Sequence, residues 1–384
     1  MIVRHGRRRW ALGLIAALAA ACSNSTGPQS HLANPQQLSA DLQTVSAVFQ
    51  STTFQSFGSI GTATGSPAAV STPAGALLAA APIVAPRTSS EPYADAPRRL
   101  QALRATAGAF RTGITASVIP APLLGSTFVW DVTNHTYVVD ASATPAAPAN
   151  GVRIILYAIN PLDGSIVESP LTAVGFVDLV DLSSGNTNSL EVKVSGGTAA
   201  SPGTTYVDYT VSGTVTGTTV VTAFNGTATG FVTDGTHTLH FTATFAATGL
   251  DTNNPDVDFN VTWDLDNPVI HVALHETVTT PDANDATITI DFSVTHGTET
   301  VSVTGSITVV VSPQTVTANI NIAVNSVPFA RVAGTNNGIT LRHADGSALA
   351  ADEVQAVSDL FSLPDSLEIA TQNLFNPAQH LMGG

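Results

Sequence analysis

The chain of 384 residues has one cysteine, one lysine, two methionines and three tryptophans, and each scarcity removes a class of chemistry. A single cysteine forms no internal disulfide and cannot build a cysteine-rich zinc site. The lone Lys193 is followed by Val194, so no phosphate-binding loop of the glycine-lysine-serine/threonine kind exists. No serine sits in a G-x-S-x-G turn. His275-Glu276 opens like a zinc-protease helix, but Thr279 stands where the second histidine belongs and the context is a strand. No apolar run approaches the roughly 20 residues that a transmembrane helix requires.

Positive charge is also scarce, with 13 basic residues against 28 acidic ones. Four of the bases, Arg4, Arg7, Arg8 and Arg9, crowd the first ten residues. From Thr127 to Ala333 there are 19 acids against only Arg153, Lys193 and Arg331, which repels a phosphate backbone and excludes nucleic acid as a natural partner. Charged residues make up 11% and apolar ones 43%, a balance that supports a globular core rather than an acidic coil.

The single Cys22 follows a basic stretch and the uncharged run Ala11–Ala21, whose end is Ala19-Ala20-Ala21, the three-part layout of a secretory signal. This stretch resembles the signal peptide and lipobox of bacterial lipoproteins, in which small residues precede a cysteine that receives the lipid. The resemblance covers residues 1–22 and implies cleavage between Ala21 and Cys22 and acylation of Cys22, including palmitate-type chains. It also implies export, with the body anchored on the periplasmic side or at the cell surface. Ser23 after the cysteine points to the outer membrane. Ala19 stands where that motif usually carries leucine. The same alanines would serve ordinary signal peptidase, and Arg7-Arg8-Arg9-Trp10 would serve twin-arginine export.

Along the mature chain, residues 22–34 read as a tether. A helical segment occupies 35–57, with Leu38, Leu42, Val45 and Phe49 on one face. An uncharged linker covers 58–91, within which Ala76 to Ala81 could instead pack as a plug, and 92–125 holds a second helix, Pro97–Phe110, with a connector. Arg98, Arg99 and Arg104 make that helix the main basic patch, suited to the acidic β region or to anionic lipid.

From 126 to 345 the apolar period becomes two. Val257, Phe259, Val261, Trp263 and Leu265 alternate with polar residues, and after Asn267-Pro268 the pattern continues through Ile270, Val272 and Leu274. Turn pairs recur at Asn134-His135, Asp234-Gly235 and His296-Gly297. The expectation is a mainly β fold: a large antiparallel up-and-down meander of about a dozen strands, curved into a half-barrel or barrel because sheets of that size do not stay flat. Residues 346–384 predict helices packing on it, one marked by Val354, Val357, Leu360 and Phe361 and one by Leu367, Ala370 and Leu374.

Pairing Leu265 with Ile270 would set Asp264 opposite His271 and Asn260 opposite His275 on the polar face. Asp264 and His271, with Asp266 near, are candidates for a divalent metal or acid–base chemistry; His271 and His275, about 13 Å apart on one strand, cannot share an ion. Asp251, Asn253, Asp256 and Asp258, and separately Asp282, Asn284 and Asp285, offer oxygen clusters of the sort calcium takes, without the EF-hand order. No other cofactor is expected. The residues therefore predict a lipid-anchored extracytoplasmic protein, non-enzymatic, acting as a binding or structural module, with an apolar ligand among the candidates. The alternatives are an outer-membrane β-barrel, since alternation does not say which face meets lipid, and a secreted hydrolase with an unrecognised site.

Overall fold

A computed structural model describes residues 30–50, 52–59, 118–160, 162–217, 220–252, 254–282, 284–310 and 312–363. Two helices come first, α1 (Pro35–Ala47) and α2 (Thr52–Ser59), joined through a 3-10 turn at Val48–Gln50. Asn34 starts α1 by accepting the Gln37 N–H at 3.0 Å, and Pro35 occupies the first turn, where no N–H partner is required. Leu38, Leu42 and Val45 make its buried face.

The strands are β1 (Thr127–Asp131), β2 (Thr136–Val139), β3 (Gly151–Tyr157), β4 (Ala173–Asp181), β5 (Asn188–Thr198), β6 (Ser201–Thr216), β7 (Ala223–Thr233) and β8 (Thr238–Thr248). They continue as β9 (Asp256–Leu265), β10 (Ile270–Thr279), β11 (Asp285–His296), β12 (Glu299–Val310), β13 (Thr315–Val324), β14 (Val327–Thr335) and β15 (Thr340–His343). A third helix, α3, covers 351–363.

All fifteen strands belong to one sheet, and β3 to β15 follow one another in chain order, each antiparallel to the next. The mainly β, up-and-down architecture with helices near both ends is therefore the one the period-two pattern predicts. The sheet is open, because β15 and β2 are its edges. Its first strands depart from a meander: β1 lies parallel to β3, with Thr127 opposite Arg153, and β2 is outermost. The turn pattern alone does not reveal this, because the β2–β3 connection crosses β1 and is held there by tertiary contacts, among them the Asp140 N–H to Thr127 O at 2.8 Å and Arg153 to the Pro145 and Ala146 carbonyls. Fifteen strands exceed the dozen expected, since the four-residue β2 and β15 are too short to display an alternation.

The faces are sharply unequal. On β9 and β10 the inner set Val257, Val261, Trp263, Leu265, Ile270, Val272 and Leu274 is buried, as are Ile288, Phe292, Val301, Val303, Ile320 and Ile322 further along. One continuous core joins these side chains to Leu38, Phe54 and Phe57 of the N-terminal helices and to Val357, Leu360 and Leu363 of α3. Laid flat, fifteen strands would be about 70 Å wide, so a common core requires the sheet to coil about the helices. Glycine assists the coiling at Gly230, which lies between Tyr209 and Phe241 on adjacent strands and lets their rings meet above it at 6.3 Å.

On α3 the buried residues are Glu353, Ala356, Val357, Leu360 and Leu363, while Val354 is exposed. The apolar marker Val354 therefore does not belong to the packed face, which Glu353 enters instead because His343 pairs with it. The basic helix expected at 97–110, most of the linker and the second C-terminal helix lie outside the described residues.

Candidate functional site

Of the polar candidates, Asp258, Asn260, Asp264, His271 and His275 share the outer face of the β9–β10 hairpin. The register sets Ile270 opposite Leu265, His271 opposite Asp264 and His275 opposite Asn260. His271 Nδ1 lies 2.6 Å from Asp264 Oδ1. His275 takes a diagonal partner instead of its direct neighbour, with Nε2 3.3 Å from Asp258 Oδ2, while Asn260 donates to the other oxygen of Asp258 at 2.7 Å.

This pair is part of a longer rung. Successive cross-strand partners on β3 to β10 are Arg153, Asp178, Lys193, Asp208, Phe231, His240, Asp264 and His271. Opposite charges alternate along much of it, the arrangement that cross-strand neighbours favour. Arg153 forks onto both oxygens of Asp178 at 2.7 and 2.8 Å, and Lys193 Nζ is 3.8 Å from Asp208. The next rung toward the far end is neutral: Thr210, Thr229, Thr242 and Thr262 stand side by side on β6 to β9.

At its β9–β10 end the rung offers charge and hydrogen bonds without enclosure, whereas Arg153 and Asp178 at the other end are largely buried. His271 and Asp264 are 46% and 57% exposed, so water screens the pair and no desolvated acid or base results. Among the described residues no group of three histidine, cysteine or carboxylate side chains is placed to hold a metal ion. Asp256 Oδ1 accepts the Thr280 N–H at 2.8 Å, and Asp282 Oδ1 accepts from Asn284 and Asp285. Asp282 closes a turn, and Asp256 ties the start of β9 to the end of β10. Asp251 is exposed in the same loop as Asp256, and between them Asn254 Oδ1 is buried with no hydrogen-bond partner.

Two buried clusters escape any reading of the sequence, because their members meet only through tertiary folding. His296 sits between Asp41 of α1 and Glu299, with ring nitrogens 3.4 and 3.0 Å from the two carboxylates, and Glu299 also accepts the Ala33 N–H at 2.7 Å. His343 lies 3.1 Å from Glu353 of α3, and the exposed His31 reaches the other oxygen of that carboxylate at 3.5 Å. Glu353 further accepts the Ala350 N–H, capping α3. Together these contacts fasten the N-terminal segment to the turns of the sheet.

A third polar cluster surrounds Glu168. Trp130 Nε1 donates to it at 2.7 Å and His135 approaches the same oxygen at 2.7 Å, and these contacts hold the carboxyl below its ordinary value. Burial pushes the Tyr137 and Tyr209 hydroxyls above theirs, so both are neutral packing groups. Between β6, β7 and β8 a shallow, partly open recess is lined by Val211, Phe224, Gly226, Ala228, Ala243 and Phe245 among others. Ala21 and Cys22 lie outside the described residues.

No protein-family model, no curated protein and no solved structure matches the chain.

Proposed function

We propose that the protein is a lipid-anchored extracytoplasmic module with a binding or structural role and no catalytic one, attached through Cys22. The observation that carries this reading is the division of the sheet. Its inner face is apolar and packed with the chain's own helices, while the outward positions on β6 to β13 are mainly Thr, Ser, Asn, Asp and His. A membrane-spanning barrel needs a closed sheet and an outward apolar band. With an open sheet and a polar exterior, attachment falls to the acyl chains expected on Cys22, each contributing about 0.8 kcal/mol per buried CH₂. The exterior rung of charge and threonine is the surface left to meet a partner.

The apolar recess beside Phe224 and Phe245 is too small to enclose a small molecule, so an apolar ligand would need a contact surface other than this recess. The test is Cys22→Ser in the native host, followed with a clickable palmitate analogue and detergent-free fractionation. The wild type should incorporate label and sediment with membranes, and the variant should do neither. Equal sedimentation of the unlabelled variant would overturn the reading.

A further inference from the structure

We infer that the turn end of the sheet that carries the N-terminal segment lies against the lipid surface, with Leu162 and Val269 dipping into it. This deepens the lipid-anchor reading and rests on it for the position of the membrane.

The N-terminal segment meets the body at one end. The Ser30 N–H donates to Pro328 O at 3.3 Å and its hydroxyl to Val327 O at 2.9 Å, beside the β13–β14 turn. From Cys22 to Ser30 is eight residues, a reach of at most about 27 Å. Strands of ten to twelve residues, such as β10 and β11, are about 33–40 Å long. A chain fixed at Cys22 therefore keeps this end near the bilayer, and the far end stands away from it.

The register shows which turns share that end. Val324 pairs with Val301 next to the β13–β14 turn, His296 pairs with Ile270, and Ile270 with Leu265, so the turn containing Val269 is on the same side. Leu265 pairs with Leu239, and the series runs through Val232, Val207, Val194 and Val177 to Ile154. The loop between β3 and β4, which contains Leu162, therefore opens at this end too.

Leu162 is 93% exposed and Val269 75% exposed, more than any other large apolar side chain among the described residues. At the far end the corresponding maxima are Val139 at 50% and Leu182 and Val220 at 45%. Apolar side chains projecting from turns, held by rigid strands, are how a body meets an interface without spanning it. The same turns carry Asp163, Glu168, Asp234 and Asp266 with no lysine or arginine, so the surface they fit is zwitterionic rather than anionic.

The experiment uses the mature chain with Cys22→Ser and a hexahistidine tag ahead of Ser23, held on phosphatidylcholine vesicles by a nickel-chelating lipid. This replaces the acyl anchor without depending on it. Single cysteines are introduced as Leu162→Cys, Val269→Cys or Leu182→Cys and labelled with the environment-sensitive fluorophore NBD. Labels at 162 and 269 should brighten several-fold on vesicle attachment and be quenched by lipids carrying a spin label in the upper acyl chain, with position 182 unchanged. Equal behaviour at all three positions, or quenching only at 182, would overturn the inference. Failure of the anchor reading shows separately, as absent palmitate label on wild-type Cys22.

Discussion

Asp41, on the buried side of α1, meets His296 at the end of β11 with Oδ2 and Nδ1 3.4 Å apart and both side chains 12% exposed. The contact ties the first helix to the far half of the sheet. Removing Asp41 leaves one His296 ring nitrogen without its partner in a largely dry site, so Asp41→Ala should lower unfolding free energy by about 1–3 kcal/mol in urea. The loss stays below that of a fully stripped pair because Glu299 keeps its contact with the ring at 3.0 Å. A change under about 0.5 kcal/mol would show that water screens the cluster.

Arg153 should resist conservative replacement. Its fork spans both oxygens of Asp178, its Nη1 reaches the carbonyls of Pro145 and Ala146 at 3.3 and 3.4 Å, and its guanidinium lies 4.7 Å from the Phe176 ring centre. Lysine keeps the charge but not the planar fork. Arg153→Lys should cost about 2 kcal/mol, nearly as much as Arg153→Ala, and should increase proteolysis in the 140–150 connection that passes over β1. Wild-type stability in the lysine variant would mean that charge alone suffices.

The outer pair of Asp264 and His271 is expected to behave oppositely. A double-mutant cycle with Asp264→Ala and His271→Ala should give a coupling below about 1 kcal/mol, because both groups are about half exposed. A coupling above about 2 kcal/mol would point to a partner excluding water from this face.

Gly230 and Gly58 form a contrast. A Cβ at Gly230 would come within 2.2 Å of Asp208 O, whereas one at Gly58 in α2 would meet nothing within 4 Å. Gly230→Ala should destabilise by about 1–3 kcal/mol or more, and Gly58→Ala should be neutral or stabilising by up to about 1 kcal/mol. Thermal denaturation of the two variants side by side checks the order.

Acid sensitivity should contain a contribution from Glu168. Its folded value is lowered, first by the Trp130 hydrogen bond and then by His135. The stability it adds is present above the unfolded glutamate value of about 4.3 and is lost as pH falls through the lower folded value. Glu168→Gln should therefore show a shallower fall in urea midpoint as pH drops below about 4.3 than the wild type. Parallel curves would contradict the assignment.

The sequence by itself determined the class of fold and the contact between Asp264 and His271. Alternation from Val257 to Leu274 across one turn leaves a single register that keeps both apolar faces aligned, since a one-residue slip would turn Trp263 and Val272 to opposite sides. Local period and local turns carry that information. The helix start at Asn34-Pro35 is local in the same sense, one side chain satisfying one free N–H.

Tertiary structure alone decided the rest. The parallel β1–β3 contact, the charge rung and the His296 and His343 clusters join residues whose neighbours in sequence say nothing of each other. Val354 shows the limit most plainly: its helix carries apolar residues on more than one side, and the face that packs is chosen by Glu353 meeting His343. Which end of the sheet holds the N-terminal segment is likewise invisible in any pattern of residues. It follows from where Ser30, Ala33 and Asp41 find partners far along the chain, contacts that only the assembled sheet can supply.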